Sequence, residues 1–358
     1  MVISNEFWLG KKVLITGHTG FKGAWLSLYL KRLGAELCGV SLPPPTAPSL
    51  FELVNLKDQV KSEYCDIRDI KSLRRIFTEF KPEIVFHLAA QPLVGLSYED
   101  PIETYDVNVM GTLYVLEAIR HTESVKSAVM ITTDKCYENK EWVWGYREKD
   151  ELGGHDPYSS SKAAAEILIK SYRDSYFKTS KREINIASVR AGNVIGGGDW
   201  AVDRLIPDIF KTITQKKEFE LRNPNAVRPW QHVLDPLTGY ILLAKKLYEG
   251  QEDYTGAWNF GPDYKQTKTV GEIIDYVQSN LKNNFAVNSK EQNTYKETTF
   301  LKLDSAKSNS RLNWKSIWDI NKTLQKTVEW YLSFDKDFDV LELTNSQIDE
   351  YIRDSLSD

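Results

Sequence analysis

The chain has 358 residues, and its 46 Lys and Arg against 50 Asp and Glu give a formal net charge of −4. It is longer than a typical domain of about 100 to 150 residues, so we expect a large α/β domain with a second lobe. The balanced charge, without a run of like charges, argues against a nucleic-acid partner. No apolar run approaches the ~20 residues of a membrane helix, so we expect a soluble chain with no membrane partner.

The first residues, MVISNEFWLGKK, lack the basic and apolar segments of a secretory signal, so we expect a cytoplasmic location. The cysteines are few and scattered, without a CxxC pair, which suits a reducing compartment: Cys38, Cys65 and Cys136. None of the histidines falls at metal-ligand spacing with another histidine or a cysteine, so we predict no metal site.

Strand and helix patterns alternate in the first half of the chain. Short apolar and β-branched runs predict strands at residues 12–16, 37–42, 64–67, 83–90, 127–133 and 184–194. Apolar residues at helical spacing predict helices at residues 24–33, 70–80, 101–121 and 157–176. This repeated alternation predicts an α/β fold with a doubly wound, mostly parallel Rossmann sheet.

The pattern changes after Gly196, where the segment GGGDWAVDRLIP is followed by shorter helical runs. We therefore predict a dinucleotide-binding Rossmann domain at residues 1–196 and a smaller, mixed substrate lobe at residues 197–358. Gly261 and Pro262 indicate a return toward the sheet, so we expect some segments of the second half to join the first domain.

Three glycines follow the first strand in the order GxxGxxG: Gly17, Gly20 and Gly23. Between a strand and a helix, this spacing allows a tight turn, close approach of a pyrophosphate to the backbone, and anion binding at the helix N-terminus. A glycine-rich turn without a ligand is the alternative, but the flanking strand and helix favour a dinucleotide site. The predicted site also includes Thr19, Phe21 and Lys22.

The acidic residue that usually binds the adenosine ribose of NAD is missing at the end of the second strand, where Ser41 stands. Lys22 would favour the 2′-phosphate of NADP or lie in solvent. Asp66, at the end of the third predicted strand, would contact the adenine edge or cap a loop. We predict NAD as the cofactor, and NADP stays open.

Tyr158 and Lys162 lie four residues apart in YSSSK, as neighbours on one face of a predicted helix. The preceding strand ends in Thr-Thr-Asp at residues 132–134. The topology is therefore expected to bring a hydroxyl, a carboxylate, a phenol and an ammonium to the sheet edge that carries the glycine loop. A second YxxxK, at residues 264–268, has no such strand beside it and is predicted to form a surface turn.

Five motifs occur together: TGHTGFKG at residues 16–23, HLAAQ at 87–91, NVMGT at 108–112, TTDKCY at 132–137 and YSSSK at 158–162. Over most of the chain they resemble the extended short-chain dehydrogenase/reductase family. Two further motifs, RAGNVIGGGDW at residues 190–200 and VRPWQHV at 227–233, are similar to the branch that dehydrates CDP-glucose. The resemblance implies bound NAD and conversion of CDP-D-glucose to CDP-4-keto-6-deoxy-D-glucose and water, for deoxysugar synthesis.

The resemblance also implies catalytic roles. Tyr158 would take the proton of the sugar 4-hydroxyl as hydride leaves C4, Lys162 and the oxidised nicotinamide would lower the pKa of the phenol, and Thr133 would hydrogen-bond the same oxygen. Loss of water across C5 and C6 needs an acid, which maps onto Asp134. The base is glutamate in the wider group and Lys135 here. Lys135 would be a neutral base or a charged group that stabilises the enolate, and we expect the base.

The implied binding residues come from both halves of the chain. Asn193 would contact the sugar nucleotide, and Arg204 and Arg228 would bind its diphosphate, with a surface position the alternative for either arginine. Asn108 would orient the cofactor site through backbone contacts. The other implied cofactor contacts are Asp66, Ile67, Leu88, Ala89, Ala90, Tyr158 and Lys162. A core position is expected for His87. Trp200 and Trp230 would stack on the base or the sugar or pack in the core, and we expect the core.

Two other functions stay open. A nucleotide-sugar 4-epimerase shares Tyr158 and Lys162 but needs no acid and base at C5 and C6, so Asp134 beside Lys135 favours dehydration. A non-catalytic dinucleotide-binding protein could use the same fold. The predicted helices at residues 101–121 and 157–176 resemble the family's dimer bundle, so we expect a homodimer or homotetramer.

Overall fold

The computed structural model describes residues 5–179, 182–215, 217–221, 223–263, 267–281, 285–289, 301–334 and 338–357. Position 264, where the second YxxxK begins, lies outside these ranges, so the surface turn predicted there is not tested. Within them the strands are β1 Lys12–Thr16, β2 Glu36–Ser41, β3 Lys61–Tyr64, β4 Ile84–His87, β5 Ser127–Ile131, β6 Asn185–Ala191, β7 Val194–Ile195, β8 Phe219–Leu221, β9 Val227–Pro229, β10 Gln231–His232, β11 Gly256–Phe260, β12 Thr267–Thr269 and β13 Val287–Ser289.

The α-helices cover both faces of the sheet and much of the second half. They are α1 Asn5–Trp8, α2 Phe21–Arg32, α3 Leu50–Leu53, α4 Ile70–Phe80, α5 Val94–Glu99, α6 Pro101–Tyr105, α7 Thr112–Arg120, α8 Pro157–Tyr172, α9 Leu205–Gln215, α10 Leu234–Tyr248, α11 Val270–Asn280, α12 Ala306–Leu312, α13 Ile320–Phe334 and α14 Val340–Ser357. π-helical turns occur at Asp106–Gly111 and Arg173–Phe177, and 3₁₀ turns at Leu56–Asp58, Asp134–Cys136 and Glu252–Tyr254.

Seven strands of the described chain form one parallel sheet in the order β3-β2-β1-β4-β5-β6-β11. The direction of strand addition reverses between β1 and β4, and doubly wound sheets bind ligands beside the carboxyl ends of the strands at such a point. The glycine loop follows β1, and residues 88–90 follow β4. The predicted fold class, an α/β fold with a doubly wound parallel sheet, is confirmed.

Several predicted elements differ in length from the observed ones. The third strand lies at Lys61–Tyr64 rather than 64–67, because its ladder with β2 ends where Ser41 pairs with Tyr64. β4 ends at His87, so residues 88–90 form a loop at the sheet edge instead of a strand. The helix predicted at residues 101–121 contains the π-helical turn between α6 and α7.

The start of α8 follows from its sequence. Asp156 caps the helix, and its carboxylate accepts a hydrogen bond from the backbone N–H of Ser159 at 2.9 Å. Pro157 occupies the first helical position, where a missing N–H costs no hydrogen bond. These two residues place Tyr158 in the first turn of the helix.

The second half contributes the seventh strand of the central sheet. β11 pairs in parallel with β6, with Trp258 opposite Val189 and Phe260 opposite Ala191. The other strands of the second half form small sheets with β7 or with one another, and the β9–β12 pair is antiparallel. The predicted division at residue 196 stays a prediction, since the sheet draws on both sides of it.

A continuous apolar core joins the sheet to the C-terminal helices, with Trp25, Trp258 and Trp314 fully buried. The indole N–H of Trp25 donates to the carbonyl of Gly197 at 2.9 Å, so α2 is tied to the glycine-rich segment that follows β7. Among the described residues, no helix combines the length and the apolarity needed to cross a membrane.

Candidate active site

A cleft of about 1660 Å³ lies at the carboxyl edge of the sheet and extends over the second half. Single drug-sized ligands occupy roughly 300 to 1000 Å³, so this volume suits a dinucleotide together with a second ligand. Every predicted site residue except Asn108 lines it: Gly17, Thr19, Gly20, Phe21, Lys22, Gly23, Asp66, Ile67, Leu88, Ala89, Ala90, Thr133, Asp134, Lys135, Tyr158, Lys162, Asn193, Arg204 and Arg228.

The glycine loop packs tightly against its surroundings. Gly17 has φ +79°, and a Cβ there would lie 2.7 Å from the backbone nitrogen of Ala89. A Cβ on Gly23 would lie 2.0 Å from the carbonyl oxygen of Gly17, so the start of α2 and the end of β1 approach more closely than any other residue type allows. The predicted turn and close helix packing are therefore present.

Hydroxyl groups stand where the sequence lacks the ribose acid. The Thr19 hydroxyl donates to the carbonyl of Leu42 at 2.9 Å, and its oxygen lies 2.7 Å from the Ser41 hydroxyl. Asp66 pairs with Arg68 at 2.7 Å, and this guanidinium lowers the pKa of the carboxyl group. The Asp66 carboxylate also accepts from the Arg68 N–H, as expected of a loop cap, while the residue lines the cleft.

Both sequence-based interpretations of Lys22 stay predictions, and its side chain lines the cleft. Burial lowers the pKa of Lys22 to about 8, with the positive charge of Arg204 acting in the same direction and Asp134 opposing it. The charges of both Arg204 and Asp134 act on the Lys22 ammonium, so it lies near these two groups. The first turn of α2 carries it toward Asp134.

The turn after β5 places Asp134 and Lys135 at the cleft. The Thr133 hydroxyl donates to the Asp134 carboxylate at 3.0 Å and accepts from the backbone N–H of Lys135 at 3.3 Å. Burial raises the pKa of Asp134, although the charge of Lys135 opposes this. A Cβ on Gly192 would lie 2.8 Å from an Asp134 carboxylate oxygen, so only glycine leaves room for this carboxylate.

Tyr158 and Lys162 are buried on the face of α8 that borders the cleft. Burial raises the pKa of Tyr158 to about 12, while a hydrogen bond with Thr133 and the charge of Arg204 act in the opposite direction. Burial lowers the pKa of Lys162 to about 8, assisted by Lys22. The pKa of the phenol is therefore raised, contrary to the expected lowering, and the groups that oppose the rise are Thr133 and Arg204 rather than Lys162. The Lys135 ammonium lies 6.0 Å from the centre of the Tyr158 ring.

The second half brings two arginines to the cleft. The Arg204 guanidinium donates to the Asp199 carboxylate at 2.7 Å, and Asp199 also accepts from the backbone N–H of Ala201 at 3.2 Å. Arg228 lies on β9, where its neighbour across the antiparallel pair is Lys268. Trp200 and Trp230 are mostly buried, as expected, but both also line the cleft.

Asn108 lies behind the cleft and contacts backbone, as expected. Its amide oxygen accepts from the N–H of Gln91 at 2.9 Å, and its amide nitrogen donates to the Gln91 carbonyl and to the Ser161 hydroxyl.

His87 is in the core, with its ring nitrogens 2.7 and 3.0 Å from the hydroxyls of Thr16 and Thr112. In the described ranges, no group of three His, Cys, Asp or Glu side chains is placed to hold a metal ion.

Comparison with known proteins decides the family. Residues 14–327 match the GDP-mannose 4,6 dehydratase family. The chain is 48% identical over 354 residues to the CDP-glucose 4,6-dehydratase of Salmonella typhimurium, which covers 98% of this chain and 99% of the relative. The chain belongs to the GDP-mannose 4,6 dehydratase family. This family member is also 24% identical over 348 residues to the dTDP-glucose 4,6-dehydratase of Salmonella typhimurium, covering 90% of this chain and 93% of the relative.

Solved structures agree on the fold. An epimerase of Methanothermobacter thermautotrophicus aligns with a TM-score of 0.78 at 21% identity, over 93% of this chain and 95% of that one. A UDP-glucose 4-epimerase of Stenotrophomonas maltophila, solved with bound NAD, aligns with a TM-score of 0.79 at 20% identity. The alignment covers 91% of this chain and 99% of that one. These structures share the fold of this chain, and the 48% identity to the CDP-glucose 4,6-dehydratase confirms the predicted resemblance to that branch.

Sequence reasoning missed Asp199, which holds Arg204. It also missed the cleft-lining residues Tyr137, Asn139 and His155, which follow the turn that carries Asp134 and Lys135 or precede α8. None of these lies at a recognisable spacing from the residues around it, because loops rather than helix or strand periodicity bring them together. The motif RAGNVIGGGDW contains Asp199 and was the one signal that pointed to it.

Proposed function

We propose that the chain converts CDP-D-glucose to CDP-4-keto-6-deoxy-D-glucose and water, as an NAD-dependent lyase of nucleotide sugars. The observation that carries this proposal is the 48% identity to a CDP-glucose 4,6-dehydratase across 98% of the chain. The cleft supports it, because a 4-epimerase has no use for an acid and a base at Asp134 and Lys135, beside Tyr158.

The residues of the glycine loop fit a dinucleotide. α2 begins after Gly20 without a side-chain cap, so its first backbone N–H groups can bind a pyrophosphate. A Cβ on Gly20 would have the Gly17 carbonyl oxygen, at 3.4 Å, as its one close neighbour, which leaves space beside this backbone. Ser41 and Thr19 would bind the adenosine ribose in place of an acid. When bound, NAD would supply the group that accepts hydride from C4 and later returns it to C6.

In the oxidation step, Tyr158 takes the proton of the sugar 4-hydroxyl. Since burial holds the pKa of the phenol near 12, deprotonation needs positive charge nearby. Lys162 lies one helical turn away, and Arg204 adds a second charge. Thr133 orients the reacting oxygen through its hydroxyl.

In the elimination step, the 4-keto group acidifies the C5 hydrogen. Lys135, as the neutral amine, takes that proton, and the protonated Asp134 carboxyl gives its proton to the C6 hydroxyl as it leaves as water. When hydride returns to C6, the protonated Lys135 gives a proton back to C5. Burial raises the pKa of Asp134, which favours the protonated form that a general acid requires. Asn193 contacts the sugar nucleotide, and Arg204 and Arg228 bind the diphosphate, where planar guanidinium groups match phosphate oxygens.

A homodimer or homotetramer is part of the proposal. Helices α6 and α7 pack against α8 and leave Ile102 82% and Ile167 60% exposed, and Tyr176, in the π-helical turn after α8, is 46% exposed. Substituting Ile102 and Ile167 with Glu should dissociate the assembly, as measured by analytical ultracentrifugation, and a monomeric wild-type chain would contradict this part. A cytoplasmic location stays a prediction.

The activity is tested with CDP-, UDP-, GDP- and dTDP-glucose at equal concentration. NMR of the product distinguishes a 4-keto-6-deoxy sugar from a C4 epimer. We expect the keto sugar, with kcat/KM for CDP-glucose at least tenfold above that for the other three. A C4 epimer would favour the epimerase alternative. If the protein binds NAD but turns over none of the four nucleotide sugars, the result would favour a non-catalytic dinucleotide-binding protein.

A further inference from the structure

A buried ion pair lies behind the active site, between α8 and β6. The Arg190 guanidinium donates to both carboxylate oxygens of Glu166, at 3.0 Å from Nε to Oε1 and 2.7 Å from Nη2 to Oε2. Both side chains are 3% exposed. Burial acts to raise the pKa of Glu166, but the adjacent guanidinium outweighs it and leaves the pKa lowered, so the pair is ionic. A buried ion pair contributes little net stability and often specifies geometry instead.

This pair contacts the residues at both ends of the 3₁₀ turn Asp134–Cys136, which we call the catalytic turn. Thr132, just before the turn, donates its hydroxyl hydrogen to Glu166 Oε1 at 2.5 Å. Tyr137, just after it, accepts from Arg190 Nη1 at 2.6 Å. The residues between these two anchors include Asp134 and Lys135, the proposed acid and base.

The same pair is fixed to the helix that carries the oxidation residues. Glu166 lies one turn beyond Lys162 and two turns beyond Tyr158, on the same face of α8. Arg190 also donates to the carbonyl of Glu148, in the segment that leads to α8. The pair therefore links the turn directly to the helix face, beside the backbone hydrogen bond from Thr132 N–H to the Val189 carbonyl, which ties the turn to β6.

We propose that Glu166 and Arg190 are positioning residues that set the catalytic turn against Tyr158 and Lys162, and so couple elimination to oxidation. Neither side chain lines the cleft, so both act through the residues they hold. The proposal rests on the proposed function for its kinetic consequence. Loosening the turn slows the step that uses Asp134 and Lys135, while Tyr158 and Lys162 keep their place on the helix.

Two hydroxyls on the same carboxylate provide a matched test. Thr132→Val removes the hydroxyl that ties the turn to Glu166 Oε1. Ser188→Ala removes the hydroxyl that donates to Glu166 Oε2 at 2.7 Å from the middle of β6, away from the turn. The Thr132 hydroxyl also lies 3.2 Å from the carbonyl oxygen of Val189, but each variant removes one hydrogen bond from Glu166, so a purely structural role predicts similar effects. Thr132→Ser keeps the hydroxyl and serves as the rescue variant.

The first measurement is backbone amide hydrogen exchange of NAD-bound protein without substrate. We expect exchange at residues 134–136 to be at least tenfold faster in Thr132→Val than in the wild type. Ser188→Ala and Thr132→Ser should stay within about twofold. Equal protection of the turn in Thr132→Val and Ser188→Ala would overturn the proposal.

The second measurement is turnover of CDP-glucose. Displacement of a reacting group by about 1 Å can cost ~10²-fold in rate, so Thr132→Val should lower kcat at least tenfold with KM within threefold. Reduced cofactor should accumulate, because oxidation outpaces elimination, and Thr132→Ser should restore the rate. Equal kcat in Thr132→Val and Ser188→Ala would overturn the proposal that Glu166 and Arg190 couple elimination to oxidation. A wild type inactive on CDP-glucose would contradict the proposed function, while hydrogen exchange still decides the positioning.

Discussion

Asp199 holds Arg204 over the cleft through an ion pair of 2.7 Å between Oδ2 and Nη1. The Asp199 side chain is 6% exposed, whereas 36% of the Arg204 side chain is open to the cleft. The charge of this guanidinium also lowers the pKa of Tyr158. One arginine therefore faces the proposed diphosphate site and the proposed proton acceptor at once.

Replacing Arg204 should affect both binding and ionisation. Arg204→Gln is expected to raise KM for CDP-glucose at least tenfold, since charged hydrogen bonds contribute about 1.5 to 3 kcal/mol. The rising limb of the pH–kcat profile should move to higher pH, because the pKa of Tyr158 rises when the positive charge is lost. Arg204→Lys keeps the charge and should retain the wild-type profile while KM stays raised. An unchanged KM in Arg204→Gln would place the diphosphate elsewhere.

Tyr158→Phe should abolish oxidation at C4, because the proton acceptor is lost while the ring that packs against α8 remains. Positioned proton transfer contributes ~10² to 10⁴-fold, so activity within tenfold of the wild type would contradict the role. Equilibrium dialysis should find NAD and CDP-glucose affinities within about threefold of the wild type. This comparison separates loss of chemistry from loss of binding.

Lys135→Met should stop the reaction after oxidation. Hydride transfer from C4 belongs to Tyr158 and continues, so absorbance of reduced cofactor should accumulate, while solvent deuterium fails to enter C5. The keto-deoxy product should form at least ~10²-fold more slowly, the usual contribution of a general base. Normal C5 exchange in this variant would make Lys135 a bystander.

Asp134→Asn should separate the two halves of the elimination. The amide keeps the shape that Gly192 accommodates but supplies no acidic proton, so loss of the C6 hydroxyl slows. Exchange of the C5 hydrogen with solvent should continue, as measured by mass spectrometry of recovered substrate. Wild-type release of water would show that another group protonates the C6 oxygen.

Gly20→Val should block NAD binding with the fold retained. A Cβ at this position meets one atom, at 3.4 Å, so branched methyl groups would extend into the space proposed for the pyrophosphate. Isothermal titration should find NAD affinity at least ~10²-fold weaker, with the melting temperature little changed. Gly20→Ala should have a smaller effect. Normal NAD affinity in the valine variant would assign the loop another purpose.

Acid should destabilise the protein through its buried histidines. Burial lowers the pKa of His87 to about 3, from an ordinary value of 6.5, so between these values the unfolded state binds more protons. The free energy of unfolding therefore falls as pH drops below 6.5, by about 2 kcal/mol for this group at pH 5. Urea unfolding at pH 7 and pH 5 should find a weaker pH dependence in His87→Gln. The exposed variant His121→Gln is the control, and equal pH dependence in both variants would contradict this account.

The features that the sequence predicted are those with a local pattern. GxxGxxG and YSSSK combine short spacing with a flanking strand or helix, so both were placed on the right elements and at the right sheet edge. The pairing of β11 with β6 joins segments about 65 residues apart, and local periodicity carries no information about such a partner. The environment of Lys22 depends on Arg204, which lies far along the chain. The sequence around the glycine loop therefore could not predict this environment.

The seventh strand has a consequence for synthesis of the chain. Until residues 256–260 have left the ribosome, β6 keeps an open, apolar edge with unpaired N–H and carbonyl groups, which can pair with other nascent chains. The cofactor-binding half thus cannot finish folding while the second half is being made. Fragments that end soon after the glycine-rich segment at residues 196–198 should aggregate on expression, whereas fragments that extend past Phe260 cover the β6 edge with β11.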